Sequence, residues 1–259
     1  MRMMKKVLGV VTVLALSVSL LAGCGSTAAS PVSSAASTAA ESTTSSVVSE
    51  TTSAAADENV AAAAQLLNDL TGSYQELWPV ILADEYKQTW LDVCTALVGE
   101  DNAEAAFEKL SSMVTGDVYG EDAVEAYANG GGAYFCGFTN SLATLTFDGE
   151  TSTISGTDKD GNVLFSHTYH YIGMEPVHGL YEFESDDADS GEFTYFFLAP
   201  DTSAETYHIE FRYGSDAEAL SQYDAGEYAY WVASGISTDC DQTMIDNCIE
   251  LFCTENLAG

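Results

Sequence analysis

Basic residues are scarce in this sequence: seven lysines and arginines stand against 40 aspartates and glutamates. Three of the seven, Arg2, Lys5 and Lys6, lie at the front, so beyond residue 23 only Lys87, Lys109, Lys159 and Arg212 remain. That excludes nucleic-acid binding, because neutralising phosphates takes clustered Lys and Arg. The acid surplus keeps a chain soluble through mutual repulsion and attracts cations. Histidine is also sparse, limited to His167, His170, His178 and His208. There is no CxxC spacing and hence no thiolate zinc site of the usual kind. A GxSxG elbow, an HExxH helix and a glycine-rich phosphate loop followed by lysine are all missing, so the chain is read as a non-enzyme.

What is present begins with an export signal over residues 1–23. Arg2, Lys5 and Lys6 precede an apolar run over 7–22, and small residues lead into Cys24. The run is slightly short for a bilayer span. Leu21, Ala22, Gly23 and Cys24 look like a lipobox, in which the cysteine is acylated and becomes the mature N-terminus. Residues 24–57 are almost entirely Ser, Thr, Ala and Val, a composition that reads as a flexible tether reaching on the order of 30 Å. Residues 58–259 then suffice for one domain with its own core. The expected location is the extracytoplasmic face of a cell membrane, with the bilayer held through Cys24. Besides Cys24 there are Cys94, Cys136, Cys240, Cys248 and Cys253, an odd number that leaves at least one thiol over in an oxidising compartment. Cys248 and Cys253 lie five apart on a predicted helix, poorly placed to pair with each other, and the pairing is otherwise open.

Between residues 60 and 128 apolar side chains recur at helical spacing, as in Leu66, Leu67 and Leu70, and then Leu91, Cys94, Leu97 and Val98. After Tyr134 the period becomes two, with Ala143, Leu145 and Phe147 alternating against polar neighbours. Asp148-Gly149 and Asp160-Gly161 mark hairpin turns. Val163, Phe165, Tyr181, Phe183, Tyr195, Phe197, Ile209, Phe211 and Tyr213 are expected to supply one buried face along successive strands. A last amphipathic helix starts near Asp241, with Met244, Ile245, Cys248, Leu251 and Phe252 on its apolar side. The fold expected is α+β: N-terminal helices, an antiparallel barrel or curved sheet, and a C-terminal helix.

Two stretches resemble the ZinT family of bacterial zinc-binding proteins. Residues 67–81, LNDLTGSYQELWPVI, are similar to the family's opening motif LSDWxGxWQSVYPLL, matching at Asp69, Gly72, Gln75 and Pro79. Residues 207–214, YHIEFRYG, resemble its HxH strand and the glycine after it. The resemblance implies a lipocalin-like (calycin) barrel, bound zinc, and partnership with a metal transporter. It also implies three histidine ligands, one just before an Ala-Pro turn and two in HxH. Here His208 matches the first HxH position, Glu210 occupies the second, and Phe196 stands where the histidine before Ala199-Pro200 is implied. The histidine-rich segment of some members is missing.

On a strand, His208 and Glu210 share one face while Ile209 and Phe211 share the other, which sets an imidazole beside a carboxylate. Both are zinc ligand types, but an open zinc site takes three protein ligands and a water. His170 or His178 is expected to supply the third from a neighbouring strand, with Asp186, Asp187 and Asp189 as further oxygen donors. The bland reading of His208 and Glu210 is an ion pair or hydrogen bond with no metal. His167 alone reads as a surface residue. The acidic turn over 185–192 lacks the ligand spacing of an EF-hand loop and reads as solvated. The leading expectation is a lipid-anchored protein that binds zinc or another divalent metal for uptake or buffering. The alternatives are a calycin-like module that has lost its metal and holds a small organic ligand or peptide, and a surface interaction protein with no small ligand.

Overall fold

A computed structural model describes the backbone of residues 47–257 and the side chains of residues 58–257. The expected signal segment, Cys24 and most of the expected tether lie outside the described residues. The chain divides into Met1–Asp57 and Glu58–Gly259, and the account below concerns the second unit. Helical backbone of α1 (Val47–Asp69) begins inside the stretch expected as tether. It is followed by β1 (Gly72–Glu76), α2 (Leu77–Ile81), α3 (Lys87–Val98), α4 (Glu100–Val114) and α5 (Glu121–Ala128). Then come β2 (Thr144–Asp148), β3 (Thr153–Thr157), β4 (Val163–Met174), β5 (Tyr181–Ser185), β6 (Tyr195–Leu198), α6 (Ser203–Thr206) and β7 (Ile209–Gly214). The last elements are α7 (Ala217–Leu220), β8 (Ala233–Ser237) and α8 (Gln242–Leu257).

The eight strands pair in chain order, each antiparallel to the next, and β8 pairs back onto β1 to close a barrel. The expected α+β architecture is therefore observed, with helices before and after a calycin-like barrel. Its first strand departs from expectation, because β1 lies inside the region read as helical throughout. Gly72, at φ 147°, takes the chain from α1 into β1 in a conformation that other residues rarely adopt. Tyr74 then turns inward opposite Leu145 while Ser73 and Gln75 flank it. The turn signals held where they were read: Asp148-Gly149 joins β2 to β3, and Asp160-Gly161 lies between β3 and β4.

Inside the barrel the aromatic rings meet one another. Phe196 packs against Phe211, Tyr213 and Tyr169, and Tyr213 meets Trp231 edge-on with centroids 5.0 Å apart. Leu145, Phe147, Ile154, Phe183, Phe211 and Trp231 are all fully buried around them. The interior is thus a packed aromatic and aliphatic core. Strand register places Phe183, Phe196 and Tyr213 in one inward row, so Phe197 and Arg212, paired beside them, face outward. Tyr195 and Phe197 were expected on the inner face. Instead Phe197 is buried on the outer wall, and the Tyr195 hydroxyl donates to Glu184 there. Val163 is also a departure: it is 70% exposed at the start of β4, beside the register shift at Gly156/Thr157.

A second core lies outside the barrel, where Trp78, Ile81, Trp90, Leu110, Ile249 and Cys253 join α2, α3, α4 and α8 to Ile236 of β8. The Trp90 indole N–H donates to the Ile81 carbonyl at 2.7 Å and packs edge-on against Phe252. Asp241 caps α8 by accepting from the Met244 amide at 2.9 Å, where the sequence places the start of the last helix.

Arg212, fully buried on the outer wall, donates to the carbonyls of Leu220, Gln222 and Tyr228, and its guanidinium lies 4.2 Å from the Tyr223 ring centroid. It ties the segment between β7 and β8 to the barrel. Arg212→Ala leaves those carbonyls without their donor, and we expect a loss of about 3 kcal/mol or more in urea unfolding. Arg212→Lys should recover little, since an ammonium cannot span three carbonyls as the planar fork does. A loss below about 1 kcal/mol for the alanine variant would refute this role.

Candidate functional site

α6 ends at Tyr207, which takes the left-handed conformation at φ 68° and delivers the chain into β7 with His208 just ahead of the strand. The inward row Ile209, Phe211 and Tyr213 puts Glu210 on the outer wall. The His208 Nε2 lies 3.8 Å from Glu210 Oε1, and its Nδ1 donates to the Thr206 carbonyl at 2.7 Å. A carbonyl can only accept, so Nδ1 carries a proton and Nε2 is the nitrogen turned toward the carboxylate. This pairing of an imidazole and a carboxylate is the one the period-two spacing predicts.

α8 covers one side of the pair. Its Cys248 sulfur is 3.8 Å from His208 Nδ1. Glu255, seven residues on, falls on the same helix face within electrostatic reach. Asp201, after the Ala199-Pro200 turn, adds a third carboxylate. Burial alone would pull the His208 imidazole down, but Cys248 and Glu210 hold it well above the ordinary histidine range. The Asp201 carboxyl is pushed up by burial first and then by repulsion from Glu210 and Glu205. Glu255 is likewise raised by loss of water and by Glu210 and Asp201, against an opposing pull from His208. Neither lysine nor arginine makes an ion pair with any of these acids among the described residues. The result is a cluster of carboxylates around one histidine, short of positive charge.

The other expected ligands have different partners. His170 sits half-exposed on β4, its Nδ1 2.7 Å from Asp186 Oδ1 and its Nε2 4.0 Å from Glu184. His178 follows β4 in the turn to β5. There its ring packs on Tyr223 at 3.8 Å and its Nδ1 is 3.5 Å from Glu175, whose buried carboxylate accepts from the amides of Val177 and His178. Neither touches His208 or Glu210, so the four residues do not form one ligand set. Asp186 and Asp187, expected as oxygen donors, instead meet His170 and His167. His167 turns inward opposite Ile154 and is mostly buried, which corrects its reading as a surface residue. Phe196, at the position where the resemblance implies a histidine, points into the barrel on the face opposite Glu210. Among the described residues no three His, Cys, Asp or Glu side chains are grouped closely enough to hold a metal ion. The pair therefore offers two ligands as it stands.

Asp201, Cys248 and Glu255 were missed as site members. The seven-residue spacing of Cys248 and Glu255 gives them a common helix face, but nothing in the sequence places that face over β7.

The class defined by these observations is an eight-stranded calycin-like barrel with a histidine and carboxylate cluster on its outer wall. No family model matches the chain, and no curated protein matches it by sequence. Among solved structures, the Zn(II)-bound ZinT-like domain of Streptococcus pneumoniae AdcA is similar over 71% of this chain and 89% of that one, with 16% identity and a TM-score of 0.45. Zn(II)-bound AdcA from Streptococcus pneumoniae is similar over 71% of this chain at 15% identity and a TM-score of 0.43, and this chain spans 35% of its length.

The raised His208 value has a definite sign in stability. Its contribution is full below the unfolded histidine value of about 6.5 and is lost as pH rises through the higher folded value. The gap in unfolding free energy between wild type and Glu210→Gln should therefore be wider at pH 5.5 than at pH 9. A gap that is the same at both pH values would show that the two side chains are not coupled.

Proposed function

We propose that this protein binds a divalent cation, zinc by ligand type, at the cluster built on His208 and Glu210, and that it serves capture or buffering of the metal outside the cytoplasm. The observation that carries the reading is the hydrogen bond from His208 Nδ1 to the Thr206 carbonyl. It fixes the ring with Nε2 toward Glu210, in the way that ligating histidines are oriented by a partner on the other nitrogen. The cation is the cargo. His208 Nε2 and one Glu210 oxygen are its first two ligands, and Asp201 or Glu255 supplies a third by side-chain rotation. Capture displaces the proton on Nε2 and relieves the mutual repulsion of the carboxylates, so affinity rises with pH. The acid surplus of the whole chain attracts cations toward the surface. Anchoring through acylated Cys24 and delivery to a transporter belong to the same proposal. They are supported by the residues around Cys24 and by the resemblance of the two quoted stretches.

Calorimetric titration of zinc into the metal-stripped protein, in two buffers of different ionisation heat, tests this directly. One saturable site with proton release is expected. The double variant His208→Ala, Glu210→Ala should bind more than about 100-fold more weakly, and Asp201→Asn and Glu255→Gln should each weaken binding to a smaller extent. Binding that never saturates, or that the double variant leaves unchanged, would sink the proposal.

A further inference from the structure

Cys94 of α3 and Cys253 of α8 are both fully buried in the core outside the barrel, and their sulfurs lie 4.0 Å apart. Among the described residues neither thiol has another polar partner. The two helices pack directly on one another around Trp90, Ile249 and Phe252. Forming a bond of about 2.05 Å asks the sulfurs to close by about 2 Å, and among the described residues no other two cysteine sulfurs are in hydrogen-bond contact. The structure assigns Cys94 and Cys253 to each other: we infer that they form a disulfide that staples α8 to α3. This assignment stands independently of the metal reading, because neither cysteine touches His208 or Glu210.

The oxidant is a disulfide, either that of a thiol oxidase or oxidised glutathione. One cysteine thiolate attacks it, giving a mixed disulfide and releasing one oxidant thiol. The second thiolate attacks the protein sulfur of that intermediate and expels the other oxidant thiol. Two electrons pass from the cysteine sulfurs to the oxidant, and the two cysteine protons leave on the departing thiols. Burial raises both thiols and shields them, so the first attack occurs before α8 docks or while it is lifted. Cys136, Cys240 and Cys248 remain reduced, which leaves Cys248 a thiol beside His208.

The test is to reduce and unfold the full chain, refold it with oxidised glutathione, quench, and count thiols in denaturant. Of the five cysteines beyond Cys24, three should still react, and peptide mapping should recover one link, Cys94 to Cys253. The oxidised protein should melt about 10 °C above its reduced form, and Cys94→Ser, Cys253→Ser should melt with the reduced form whether or not oxidant is present. All five of these thiols reacting after refolding to the native state, or a link between any other pair, would overturn the assignment. Mapping of the wild type decides this even if the double variant does not fold.

Discussion

Closure of the sheet between β1 and β8 sets the position of nearly everything else. Tyr74, Gln75 and Glu76 pair with Ser237, Ile236 and Gly235, joining two strands more than 150 residues apart in the chain. Because β1 runs straight into α2, and β8 is followed closely by α8, the same closure brings these helices together on one outer side of the barrel. There Trp78 packs edge-on against Phe252, and Ile236 joins both helices in the second core. α8 then has one face on α3 and another over His208. The site on the wall is thus a by-product of how the barrel shuts, and its geometry depends on a ladder in which neither residue of the pair takes part.

Much of this was legible in the sequence, for reasons specific to each element. β2, β3, β5 and β7 alternate because their outer faces carry polar residues, while β4 also places Leu164 and Ile172 outside, and the Asp-Gly steps announce the turns into β3 and β4. β1 was hidden: five residues with one large apolar side chain, Tyr74, carry too little period to be seen, and their partners are distant in sequence. β6 misled by parity. Phe196 and Phe197 are both fully buried, one inside and one outside, so alternation gives no sign of which faces in. For the site, the parity of His208 and Glu210 could be read from a single strand. The meeting of Asp201, Cys248 and Glu255 could not, because it depends on how α8 lies across β7. His170 and His178 illustrate the same limit, since both found acidic partners near their own turn.

The few cations are used in ways that leave the acids unneutralised. Arg212 spends its charge on backbone carbonyls inside the wall, while Lys87 with Glu104 and Lys159 with Asp160 form exposed pairs that contribute little to stability. Around Glu210 the compensating group is a histidine. Its protonation is what the cluster has in place of a lysine, and that gives the cluster a charge that changes over an accessible pH range, which a lysine would not.

Closing the barrel with its last strand also has a cost during folding. Until β8 pairs, β1 and β7 present unpaired edges, so a chain folded only that far is an open sheet with aromatic rings along its inner face. Species of that kind associate edge to edge and seed aggregates. The chain's formal charge of -33 acts in that interval, since strands carrying so much like charge repel before they can pair. The same acidity that leaves the finished wall short of positive charge thereby also keeps unfinished copies apart.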